Sequence, residues 1–143
     1  LGVREGSDVF FVGMFTPHLG EQQNYPIIRF GRVALLSEER VRFMGQLRDL
    51  YLLETFSFGG NSGSPVFIYL GSDRDPGGLM LGAPVLKLAG VMSGTFQSGS
   101  KVLEVPTSTS KISFQNLGIA AVVPCYHFRE ILLSDELKNA RGY

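Results

Sequence analysis

The sequence predicts an all-β fold with one helix at its C-terminal end, and three observations carry that expectation. Apolar runs of strand length recur along the chain. Glycine supplies 18 of 143 residues, above the usual share of about 7%, which suits many tight turns between short strands. Only the last segment, from Pro124 onward, carries apolar residues at helical spacing.

Taken in order, Asp8 to Phe15 is an apolar run that ends at Thr16-Pro17-His18-Leu19-Gly20 and a polar tract reaching Asn24. A second strand spans 27–35, where Arg29, Gly31 and Arg32 interrupt the apolar pattern on one side. A third lies at about 50–56. Pro65 removes a backbone donor, and Val66-Phe67-Ile68-Tyr69-Leu70 then reads as the fourth. Strands at 85–95 and 118–124 bring the number to six. Two connections, 71–82 and 97–116, read as long exposed loops because they are rich in Gly and Ser. The helix is expected at about 125–140, with Phe128, Ile131, Leu132 and Leu137 on one face and Gly142 as its stop. With no internal repeat or linker, residues 1–143 form one domain.

Composition removes several function classes. The 13 basic and 13 acidic residues cancel, and no basic stripe is interleaved with aromatics, so nucleic acid is not an expected partner. No apolar stretch approaches the ~20 residues of a membrane-spanning helix, and the start does not read as a signal peptide. The first residue is Leu1 rather than Met, which reads as an excised piece. Cys125 is the sole cysteine, so no internal disulfide forms. Cys125 and His127 lie two apart and do not converge on a helical face, so neither a metal nor another cofactor is expected. The acidic pairs Glu38-Glu39 and Asp73/Asp75 read as solvated charge, not as a glycosidase dyad.

The chemistry concentrates in Phe58-Gly59-Gly60-Asn61-Ser62-Gly63-Ser64-Pro65-Val66-Phe67. Gly59, Gly60 and Gly63 permit the crowded or positive-φ backbone of a sharp turn and leave N–H groups open to an oxyanion. Ser62 is the hydroxyl nucleophile such a turn would present. An α/β-hydrolase elbow is disfavoured: Ser64 stands where its last glycine belongs, and a strand follows instead of a helix.

This run resembles the nucleophile loop of trypsin-like serine peptidases with two β-barrels, in particular the disulfide-free bacterial branch that includes the glutamyl endopeptidases. Lys87 to Thr95, Leu117 to Pro124 and Tyr126 to Leu132 are similar to that family's cleft strand, last barrel strand and closing helix, in the same order. The resemblance implies a six-stranded antiparallel barrel, the second of two, closed by the C-terminal helix. It makes Ser62 the nucleophile and the N–H groups of Gly60 and Ser62 the oxyanion hole. Asn61 stands where activated digestive enzymes carry an aspartate that pairs with a new N-terminus, so that activation is not expected. Ser93, Gly94 and Thr95 would offer an edge to an extended peptide. Phe56, Ser57 and Phe58 would wall the pocket opposite Thr95 and Gly118. Met92 stands where the glutamyl endopeptidases use a histidine to read an acidic side chain, so an apolar preference is expected instead.

The same resemblance takes the base and its orienting acid from the first barrel, which this chain lacks. His18 reads as a solvated loop residue and His127 as a residue at the helix start. The expected partners are a peptide or protein substrate and that N-terminal barrel, and the isolated chain is expected to be inactive. The alternative is a pseudo-peptidase or peptide-binding barrel that keeps the groove without the chemistry.

Overall fold

Burial alternates along Asp8–Met14, with Val9 and Phe11 inside and Asp8 outside, the period-two signature of a strand with one face on a core. The computed structural model describes residues 3–18, 20–57, 60–71, 84–103 and 110–142. Strand β1 (Asp8–Met14) is followed by β2 (Pro26–Leu36), the short β3 (Val41–Phe43) and β4 (Gln46–Arg48), then β5 (Tyr51–Glu54), β6 (Pro65–Leu70), β7 (Val85–Leu103) and β8 (Ser110–Pro124). Two helices, α1 (Cys125–Leu132) and α2 (Asp135–Ala140), complete the chain.

Six of the strands close into an antiparallel barrel in the order β1-β2-β5-β8-β7-β6, as expected. Closure gives each of the six strands a neighbour on both sides within the barrel, while β7 and β8 run on beyond it as a two-stranded ribbon. The core takes one buried apolar side chain or more from every barrel strand: Phe11, Val33, Leu53, Val66, Met92 and Val122. Burying each contributes about 1.5–3 kcal/mol relative to exposure.

Three elements differ from the sequence expectation. Residues 97–103 and 110–116 of the expected loop are strand, because β7 and β8 continue as a paired ribbon from Gln97↔Asn116 to Leu103↔Ser110; the residues between lie outside the described ones. The side chains at 97–99 and 115–117 are exposed, and the Gly, Ser and Thr of the segment hide its pairing from a sequence pattern. The 71–82 connection falls almost wholly outside the described residues.

The second difference is the β3–β4 hairpin, closed by Met44 and Gly45 at φ 49 and 78, the two positive values that a two-residue type I′ turn requires. Its Phe43 joins Leu50 and Ala121 in a small second core and tilts against Phe96 at 5.0 Å. Each strand has only three residues, too few for periodicity to register.

Third, the expected helix is two helices. Ser134 breaks it, donating from Oγ to Ile131 O at 2.8 Å and accepting from Leu137 N at 3.4 Å as the N-cap of α2. Neither helix has a fully buried residue; Phe128 and Leu137 are half-buried while Ile131 and Leu132 are more than half exposed, so the expected apolar face is covered only in part. Gly142 follows α2 at φ 74, as its anticipated stop. Among the described residues no helix is long and apolar enough to cross a membrane.

Candidate functional site

The turn between β5 and β6 carries Ser62. Gly60 and Gly63 adopt φ of 98 and 87, values that any other residue type meets only with strain. Gly60 has a second reason to be glycine, since a Cβ there would approach Thr16 Cγ2 to 2.6 Å. Three backbone bonds fix the turn: Ser64 N to Asn61 O at 3.1 Å, Gly63 N to Met92 O at 2.8 Å, and Met92 N to Ser64 O at 2.9 Å. Strand β6 begins at Pro65, so a strand follows the serine, contrary to a hydrolase elbow.

A buried polar platform lies beneath the turn. Asn61 is 1% exposed and donates from Nδ2 to Ser57 Oγ at 3.3 Å. β1 must carry Gly13 here, because a Cβ would press on Asn61 Oδ1 and come within 2.9 Å of Ser64 Oγ. Asn116 of β8 donates to the Ser57 carbonyl and accepts from Gly118 N at 2.9 Å. Thr55 N donates to Gly118 O at 2.9 Å, Thr55 Oγ1 to Phe30 O at 2.9 Å, and Arg29 Nη1 to Phe56 O at 3.3 Å. Residues 55–57 are thus held from β2, from β8 and from the turn itself.

Ser62 is exposed and its Oγ donates to Ser93 O at 3.3 Å. This contact has a structural cause. Met92 pairs with Val122 and Gly94 with Ala121, so Ser93 is the extra residue of a β-bulge and its carbonyl leaves the ladder. The β6–β7 pairing ends at Pro65↔Val91, beyond which this side of β7 faces the turn.

The histidines sit elsewhere. His18 is exposed in the turn after β1, as expected, with its N–H on Phe15 O at 2.8 Å; the same turn brings Thr16 against Gly60. His127 is half-buried on α1, with Nε2 3.7 Å from Asp49 Oδ2 and Nδ1 3.5 Å from Glu130 Oε2. Nearby, burial raises the Tyr126 pKa, helped by the negative charges of Asp49 and Glu130. Burial likewise raises Tyr51. Among the described residues no group of three or more His, Cys, Asp or Glu side chains could hold a metal ion.

Of the expected pocket residues, a cleft of about 500 Å³ between β2, β5 and β8 brings together Phe56 and Gly118, joined by Leu117 and Ile119. Ser57 is buried as part of the platform, while Ser93, Gly94 and Thr95 lie half-buried on β7. A Cβ on Gly94 would stand 3.1 Å from Phe43 Cζ, so the hairpin covers this part of β7. Phe58 lies outside the described residues. Met92 points into the core, 1% exposed. Asn116, Gly13 and Phe43 are the participants that sequence reasoning did not single out. Asn116 fell in a presumed loop, and nothing local distinguishes Gly13 from other strand glycines.

No protein-family model matches the chain, and neither the curated proteins nor the solved structures yield a match.

Proposed function

We propose that this chain is the nucleophile-bearing barrel of a serine endopeptidase. The observation that carries the reading is the presentation of an exposed Ser62 on a turn with two left-handed glycines, over a buried platform and against the bulged Ser93. A serine hydroxyl is a weak nucleophile without a base, and here its proton rests on a carbonyl. The base and its orienting acid come, in this proposal, from an N-terminal barrel in the same protein. That base takes the Oγ proton as Oγ bonds to the substrate carbonyl carbon. The oxyanion draws on the N–H groups of Gly60 and Ser62, the amine leaves with the proton, and water hydrolyses the acyl-enzyme. The cleft walls at Phe56, Leu117 and Ile119 support an apolar substrate side chain, with Arg32, Glu54 and Asn116 as the polar part of the same lining.

Turnover of peptides with apolar residues before the scissile bond tests this in the full-length protein. Ser62→Ala should reduce hydrolysis to background with the fold retained; full activity in that variant overturns the assignment. The 143-residue chain alone should be inactive. If the full-length protein binds peptides without cleaving them, the peptide-binding barrel replaces the enzyme.

A further inference from the structure

The outer face of β1, β2 and β6 carries an aromatic row that the barrel core does not use. Phe10 pairs with Phe30 on one side and Phe67 on the other, with ring centroids 6.4 and 5.3 Å away. One step along the same face, Asp8 pairs with Arg32, and Tyr69 follows Phe67 on β6. A cavity of about 360 Å³ opens between these rows, lined by Asp8, Val9, Phe10, Phe30, Gly31 and Tyr69. This is the lower end of the range of small-ligand pockets, ~300–1,000 Å³.

The lining is chemically specific. Val9 is buried with its side chain in the core, and Gly31 has none, so the side-chain walls are three aromatic rings and one carboxylate. Phe30 is 74% exposed and Tyr69 48%, a large apolar area to leave in water. Ring faces carry negative potential and attract a cation, and a carboxylate beside them adds to that attraction. An ammonium whose hydrogens are replaced by methyl groups suits such walls best: it cannot donate hydrogen bonds, and its soft, weakly hydrated surface packs on rings. The structure also contains a competitor. Arg32 Nε lies 3.2 Å from Asp8 Oδ1, but both side chains are well over half exposed, and ion pairs this exposed are screened and readily rearranged.

We infer that the cavity between Phe10, Phe30 and Tyr69 is a binding site for an alkylated ammonium group, with Asp8 as its counter-charge. The inference does not rest on the Ser62 chemistry, although Phe30 and Gly31 also line the cleft at Phe56 and Gly118. Because the barrel is closed across these strands, recognition comes from side chains and not from strand addition.

Choline and its neutral carbon isostere, 3,3-dimethylbutan-1-ol, titrated separately into the full-length protein and followed by NMR shifts, test the inference. Choline should saturate and bind roughly fivefold or more tightly than the isostere. Phe30→Ala should abolish the difference; its side chain is mostly exposed, so the fold is kept, as circular dichroism checks. Asp8→Asn should weaken choline several-fold, and Arg32→Gln should strengthen it by removing the competing cation. Comparison with Nε-trimethyllysine names the source of the group, and either preference keeps the assignment. Equal binding of the isostere reduces the cavity to an apolar patch and overturns the proposal, as does the absence of saturable choline binding.

Discussion

The turn at 60–64 and the helices at the C-terminus each adjoin a proline at a strand end, Pro65 and Pro124, yet they are ordered in opposite ways. Under the turn, Ser57, Asn61 and Ser64 are all buried polar residues, bound into a network that reaches β1, β7 and β8. The helices contain no fully buried residue, and in them only Cys125, His127, Phe128 and Leu137 are half-buried. They rest on a capping serine, on the His127 contacts with Asp49 and Glu130, and on their own backbone bonds. Buried polar groups are costly unless satisfied, so the network admits one arrangement of the Ser62 backbone. Exposed helices carry no such constraint, and their sequence is correspondingly free. The difference locates specificity of structure where chemistry is proposed.

The largest effect should come from Met92→Ala. The Met92 side chain fills the core, so about 2–5 kcal/mol should be lost on chemical denaturation, while its backbone bonds to Gly63 and Ser64 are kept. Asn61→Ala leaves Ser57 Oγ without its donor and should cost about 1–3 kcal/mol by the same measurement. Ser134→Ala removes the α2 cap and should cost about 1 kcal/mol. A loss at Ser134 equal to that at Asn61 would break the comparison, since it would make the helices as integral as the platform.

The smallest effect is a pH dependence at the opposite end of the chain. The Leu36 N–H donates to Glu5 Oε1 at 3.1 Å and lowers that carboxyl pKa below its ordinary value. A depressed folded pKa contributes stability above the ordinary carboxyl pKa, and that stability disappears as pH falls through the folded value. Glu5→Gln should therefore lower the neutral plateau of a stability–pH curve slightly, leave the fully protonated acid end little changed, and so flatten the acid limb. An unchanged acid limb would remove Glu5 from the account.

The sequence exposed those parts of the fold that depend on one-sided burial. Alternation located β1 and β6 to within a residue, because Phe11, Val66 and Ile68 must face the core while their neighbours do not. It passed over the β7–β8 ribbon at 97–103 and 110–116, whose Gly, Ser and Thr content reads as a connection, and the three-residue strands of the hairpin. The apolar spacing of α1 suggested a buried face that the barrel covers only at Phe128, with Ile131 and Leu132 left exposed. At the site, Gly60, Ser62 and Gly63 were legible because glycine at a turn has a local conformational cause. Asn116 was not, since its role depends on β8 meeting residues 55–57, a contact of 59 positions in sequence.

Everything functional turns on whether Ser62 is an activated nucleophile. Treating the full-length protein with a fluorophosphonate and locating the adduct by peptide mass tests that directly. The account predicts a single adduct on Ser62, absent in Ser62→Ala. A folded protein that takes up no label, or takes it elsewhere, contradicts it.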